Sequence, residues 1–252
     1  MTARFAIYAA PGTGSADAAA VRLREQAESW LGRRMDGTRP DPRLPSGWTR
    51  AAVDEITVNA RRYGFHGTLK APFRLAEGRS VEQLEQDLER FARTGRPVAL
   101  PQLRLHRMDG FFALVPGADA PELHELAAAL VTGFDAYRAP ATATEIARRN
   151  PDALTPRRRR MLETWGYPYV LDEFRFHLTL TDRIPPDRHG QVHDALAAWF
   201  ADCLGRTIAV DALTLCSQPT PGAPFRLHSV HPLRRPADRP RACAAAAHEG
   251  TR

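Results

Sequence analysis

Two short strings in this chain carry residue types that can move protons. His66-Gly-Thr68 and His177-Leu-Thr179 each set an imidazole and a hydroxyl two positions apart, within Phe65-His66-Gly67-Thr68-Leu69-Lys70 and Phe176-His177-Leu178-Thr179-Leu180-Thr181. Along an extended strand alternate residues share a face. His66, Thr68 and Lys70 are therefore expected on one side of the first strand, with Phe65, Gly67 and Leu69 on the other. In the second, Arg175, His177, Thr179 and Thr181 oppose Phe174, Phe176, Leu178 and Leu180. One such strand is compatible with an ordinary hydrogen-bonded histidine. Two of them converging on one groove make a site with two imidazoles and two hydroxyls.

That set suits phosphodiester chemistry. An imidazole titrates near neutral pH, so one ring can deprotonate water while the other protonates the leaving oxygen. In-line displacement puts those two oxygens on opposite sides of phosphorus, which a two-sided groove accommodates. Thr68 and Thr179 would donate to the non-bridging oxygens, whose charge changes in the transition state. The expected catalytic set is His66, His177, Thr68 and Thr179, working without a metal or cofactor on a small phosphorylated substrate. Which imidazole is acid and which is base stays open.

Four further residues are candidate substrate contacts. Lys70 follows Thr68 on the same face and reads equally as a phosphate donor or as an exposed strand-end cation; Thr181 takes its place in the second copy. Tyr63 and Arg175 flank the motifs and are expected to line the groove. The Arg157 to Arg160 run could hold a second phosphate, but such a run reads more readily as a solvated helix face.

The elements that must position these residues follow from pattern. Residues 4–9 read as a strand, 17–30 as a helix ended by Gly32, and 32–47 as a loop dense in Gly and Pro. A helix over 49–60 precedes a strand over 63–73, and Ser80-Val-Glu-Gln83 opens a helix as a capping box. Residues 98–105 and 111–115 read as strands joined through the tight Met108-Asp109-Gly110 segment. Helices over 121–134 and 186–204, and strands over 174–181, 207–216 and 225–230, complete the pattern, with 138–170 read as loop. Strand with His-x-Thr, helix, strand, strand thus occurs twice, a duplicated lobe. From Arg234 onward the composition is that of a disordered tail beyond a single duplicated domain over 1–233.

Composition excludes several classes. At 252 residues, 43% hydrophobic and 25% charged, the chain can bury a core, and no stretch approaches the length of a membrane span, so a cytoplasmic protein is expected. The net charge of +6 is weak support for a polyanion partner, because residues 234–252 hold five Arg against one Asp and one Glu. All but one of the 35 basic residues are Arg, the exception being Lys70. Cys203, Cys216 and Cys243 lack metal or disulfide spacing. His189 and His193 share a helix face without the glutamate of a zinc-protease helix, and neither a Walker-type phosphate loop nor a dinucleotide fingerprint is present.

The longer strings Arg61-Arg-Tyr-Gly-Phe-His-Gly-Thr-Leu-Lys-Ala-Pro-Phe73 and Phe174-Arg-Phe-His-Leu-Thr-Leu-Thr181 resemble the two-histidine (2H) phosphoesterase superfamily, in the branch found with bacterial phosphonate-utilisation operons. The arginines before Trp165-Gly-Tyr-Pro-Tyr169 fit that branch too. The resemblance implies an α+β fold of two pseudo-symmetric lobes, with antiparallel sheets facing a central groove and helices outside. It implies metal-independent hydrolysis, transfer or reverse ligation at 2′,3′-cyclic or related phosphoesters. Three functions follow in order: a phosphodiesterase acting on a small sugar or nucleotide, an enzyme processing or ligating RNA 2′,3′-cyclic ends, and a module that binds a phosphorylated metabolite without turnover.

Overall fold

The computed structural model describes residues 3–233. In chain order these form β1 (Arg4–Ala9), α1 (Ala18–Leu31), α2 (Arg50–Glu55), α3 (Ala60–Tyr63), β2 (Gly67–Phe73), α4 (Val81–Thr94), β3 (Val98–Leu100), β4 (Arg104–Met108) and β5 (Phe111–Val115). There follow α5 (Pro121–Gly133), α6 (Ala143–Ala147), α7 (Pro156–Trp165), β6 (Leu178–Thr179), α8 (His189–Trp199), β7 (Ile208–Val210), β8 (Ala212–Gln218) and β9 (Arg226–Pro232). The tail expected from Arg234 onward lies outside the described residues.

Local chemistry explains most boundaries. The Asp17 side chain caps α1, which Gly32 closes in a left-handed conformation, and Ser80 with Gln83 forms the expected capping box on α4. Asp109 and Gly110 both take positive φ, the twist that a two-residue hairpin turn between β4 and β5 demands. Several boundaries need correction: the strand expected over 98–105 is two, with β3 paired to β7 and β4 to β5, and the strand expected over 207–216 is also two, β7 and β8. Residues 138–170 are not simply loop: Thr142 and Glu145 make a second capping box for α6, and Thr155 with Pro156 starts α7. The helix over 49–60 breaks after Glu55, and Tyr63 ends a separate helical turn, Ala60–Tyr63, so the strand expected over 63–73 begins only at Gly67.

The strands are antiparallel throughout, in the order β4-β5-β6-β2-β1-β8-β9, with β3 and β7 paired separately. The two copies of the strand–helix–strand–strand pattern exchange their hairpins. β4 and β5 follow the first motif in sequence but pair beside β6, the strand of the second; β8 and β9 follow the second motif but pair beside β1, the neighbour of β2. The two motif strands meet directly, with Gly67 opposite Leu178.

Phe5, Ile7 and Ala9 of β1 point into the main core with Leu23, Leu84, Leu88, Leu130 and Leu196 from α1, α4, α5 and α8. Ala6, Tyr8 and Ala10 point to the other face, where Met35, Cys216 and Phe225 form a smaller cluster. Cys203 and Cys216 are buried free thiols. Among the described residues, no helix is long and apolar enough to cross a membrane.

Candidate active site

The pairing of Gly67 with Leu178 fixes the site. In an antiparallel pair the residues one step to either side also face each other, so the register puts His66 across from Thr179 and Thr68 across from His177. Two adjoining cavities reflect this crossing. One, of about 290 Å³, is lined by His66, Thr179, Thr181 and Tyr63; the other, of about 330 Å³, by Thr68, His177 and Arg175. Phe111 and Arg183 line both.

The two imidazoles are held in the same way. His66 Nδ1 lies 2.9 Å from the Gly64 carbonyl and His177 Nδ1 lies 2.8 Å from the Arg175 carbonyl, in each case two residues back. A carbonyl only accepts, so each Nδ1 carries the proton and each Nε2 is left for chemistry. Thr68 Oγ1 is 3.2 Å from His66 Nε2, within reach to donate to it.

Their surroundings differ. The His66 ring stacks on Tyr8, centroids 3.8 Å apart, and faces Tyr63 at 6.2 Å. Burial pushes the His66 pKa down to about 4, with the His177 charge adding to the effect against the Gly64 hydrogen bond. His66 is therefore neutral at physiological pH. Tyr8 is fully buried, its hydroxyl has no hydrogen-bond partner among the described residues, and burial raises its pKa well above the ordinary value. His177 sits half-buried with Phe111 at 5.8 Å.

The scaffold ties both motifs down. The Asp182 carboxylate accepts from the backbone N–H groups of Asn59 and Ala60 at 2.9 Å each, so the segment just after the second motif caps the helix just before the first. Trp30 Nε1 donates to the Leu180 carbonyl at 2.8 Å. Gly67 must be glycine, because a Cβ there would come within 2.3 Å of the Phe176 ring.

Lys70 departs from expectation. Strict alternation would place it beside His66, but β2 carries one more residue than β1 between the pairs Tyr8–Thr68 and Ile7–Lys70. This β-bulge turns Lys70 to the core side of the sheet. There it is 3% exposed, and Nζ donates to the Val131 carbonyl at 2.8 Å and meets Asp135 at 3.4 Å. Burial lowers its pKa to about 8 despite Asp135. Neither sequence reading of Lys70 fits: it is not an exposed strand-end cation, and its ammonium is held by Val131 and Asp135 on the core side of the sheet.

The other expected contacts are placed as follows. Thr181 is buried at the wall of the His66 cavity, where its Oγ1 accepts from the Phe112 N–H at 2.9 Å. Regular strand in the second motif is confined to Leu178–Thr179, so Arg175 belongs to an irregular approach and is exposed at the rim. The Arg157 to Arg160 run is an ion-paired helix face: Arg157 meets Asp172, Arg158 meets Glu173 at 2.8 Å, and Arg159 meets Asp152 at 3.5 Å. Of the run, Arg158 also reaches the His177 cavity. Sequence reasoning missed Tyr8, Phe111 and Arg183; an aromatic hydroxyl in the middle of an apolar strand was the one signal available, for Tyr8.

A family model described as "Protein of unknown function (DUF1045)" matches residues 68–226, most of the chain. The chain belongs to the DUF1045 family. Proteins similar to this DUF1045 chain include two named "Ribose 1,5-bisphosphate phosphokinase PhnN". The one from Janthinobacterium sp. (strain Marseille) is 37% identical over 227 residues, 88% of this chain and 49% of that protein. The one from Laribacter hongkongensis (strain HLHK9) is 36% identical over 224 residues, 89% of this chain and 50% of that protein. The chain thus spans about half the length of the curated relatives it matches. Among solved structures, one described as a phosphoesterase is 16% identical with a TM-score of 0.40, over 92% of this chain and 99% of that one. E. coli LigT complexed with phosphate is 15% identical with a TM-score of 0.39, over 93% and 99%.

Proposed function

We propose that the chain is a metal-independent phosphodiesterase of the 2H type, which hydrolyses a cyclic phosphoester of a small sugar or nucleotide. The observation that carries the reading is the crossed register of the motifs, which sets each imidazole opposite the other motif's threonine on one side of two paired strands. His66, neutral and with Nε2 unprotonated, is the general base that takes a proton from water. His177, held through Nδ1, delivers a proton from Nε2 to the leaving oxygen. Thr68 and Thr179 donate to the non-bridging oxygens.

The name shared by the two relatives speaks of a kinase acting on ribose 1,5-bisphosphate. This chain has no Gly-x-x-x-x-Gly-Lys loop to cradle a nucleotide's phosphates, and its sole lysine is bonded to Val131 and Asp135. We therefore assign that kinase activity to the half of the relatives that the chain does not span. The matched half would supply a phosphodiesterase step on a ribose phosphate, as in phosphonate breakdown.

The test is hydrolysis of a panel of cyclic phosphates, including adenosine 2′,3′-cyclic phosphate, in excess chelator. Turnover that His66→Ala and His177→Ala each abolish supports the reading. Turnover that survives both substitutions refutes it, and ligands recovered intact while raising the melting temperature point instead to a binding module.

A further inference from the structure

Beside the histidine cavities lies a third, of about 280 Å³, whose walls carry Arg4, Arg62, Arg74, Arg138, Arg148 and Arg149 against a single carboxylate, Glu145. Three of the six guanidinium groups are engaged. Arg74 is bound in fork fashion to Glu145, with both contacts at 3.1 Å. Arg138 is bound likewise to Asp135 at 2.8 and 3.0 Å. Arg4 donates to Gln218 Oε1 at 2.8 Å. Arg62, Arg148 and Arg149 have no acidic partner among the described residues. Arg149 instead lays its guanidinium over the Tyr167 ring at 4.7 Å, which occupies its face and leaves its N–H edge free.

Such a concentration of unneutralised guanidinium in a concave site is costly by self-repulsion and is relieved by an anion. Guanidinium forks match the oxygens of phosphate in geometry as well as charge. A phosphate monoester, near −2 at neutral pH, offsets more of the excess than a carboxylate can.

The cavity is also joined to the catalytic face by single side chains. Tyr63 lines both it and the His66 cavity. Tyr167, which carries Arg149 on its ring, lines the His177 cavity. Tyr63 therefore stands between the His66 cavity and the arginines.

We propose that the arginine-lined cavity binds a second, terminal phosphate monoester of the substrate, so that the substrate class is a sugar phosphodiester that carries a separate phosphoryl group. This rests on the phosphodiesterase reading for the identity of the reacting group, but the anion site itself does not.

Two measurements on the full chain test it. The first compares kcat/KM for adenosine 2′,3′-cyclic phosphate with and without an added 5′-phosphate. A preference of tenfold or more for the 5′-phosphorylated compound, collapsing towards unity in Arg148→Ala/Arg149→Ala, is expected. No preference in the unmodified protein, or one that survives the double substitution, overturns the proposal. The second is calorimetric titration with ribose 5-phosphate and, separately, inorganic phosphate. Binding of ribose 5-phosphate weakened at least tenfold in the double variant, yet retained in His66→Ala, is expected. Binding lost in His66→Ala and kept in the arginine variant places the anion at the histidines and overturns the proposal. Inorganic phosphate binding as tightly as ribose 5-phosphate identifies a free-anion site and overturns the substrate assignment. If no cyclic ester is turned over but ribose 5-phosphate still binds through the arginines, the phosphodiesterase reading alone fails. Arg148 and Arg149 are exposed, so a circular dichroism spectrum that matches the parent confirms that the variant has folded.

Discussion

The Tyr8 ring lies against the His66 imidazole, centroids 3.8 Å apart and planes 27° from parallel. Tyr8 comes from β1, an interior strand next to β2, and is wholly buried, so it shields one face of the imidazole from water and disfavours its charged form.

This gives a pH signature. The acid limb of kcat/KM reports groups of the free enzyme. With His66 at about 4, activity on cyclic phosphates should persist well below the ordinary histidine range and fall only as the pH nears that value. The same shift acts on stability. Unfolded chain binds a proton at His66 near pH 6.5, whereas the folded protein does not until about 4. Stability should therefore decline as pH drops through that window. Titration of the His66 ring by NMR checks both; a midpoint at the ordinary value contradicts the stacking account.

Tyr8→Leu removes the stacked ring while keeping an apolar side chain in β1. The His66 titration should move upward, and the acid limb of activity should move with it. An unchanged midpoint would assign the depression to the rest of the pocket.

Replacing either imidazole should cost activity on about the scale of one general acid or base, 10²- to 10⁴-fold. His66→Ala and His177→Ala should each show this in kcat, with circular dichroism confirming a folded chain. Because each histidine faces the other motif's threonine, Thr68→Val and Thr179→Val should give smaller losses.

Gly67→Ala forces a methyl group into the Phe176 ring at the one point where the motif strands pair. Overpacking of this kind typically costs about 1–3 kcal/mol. A lowered urea midpoint together with lost turnover is expected, because separating the strands also separates the imidazoles.

Lys70→Met should behave oppositely to a phosphate-binding lysine. It leaves the Val131 carbonyl without its donor and removes one of the two cations that meet Asp135, a loss of about 1–3 kcal/mol in stability. KM for a cyclic phosphate should stay at the parent value. A large rise in KM would return Lys70 to the substrate.

Much of this arrangement could be read from sequence, and what could not has identifiable causes. The capping box at Ser80, the Asp109-Gly110 turn and the two His-x-Thr strings are local signals, each set by a few adjacent residues. The position of Lys70 was not legible, because alternation assumes an unbroken strand and the bulge in β2 is visible only once β1 lies alongside. The arginine cavity was hidden for a related reason: its members come from positions 4, 62, 74, 138, 148 and 149, in a chain where nearly every cation is arginine. Of the run that did stand out, Arg157 to Arg160, the first three pair with Asp172, Glu173 and Asp152.

The exchanged hairpins bear on how the protein is made. β1 is made well before its partner β8, which ends at Gln218, so one long edge of this interior strand stays unpaired until both repeats have been synthesised. Neither repeat can complete its own layer of strands, and a translation product truncated between them would present unpaired, apolar β edges, making it a natural client for chaperones or proteases.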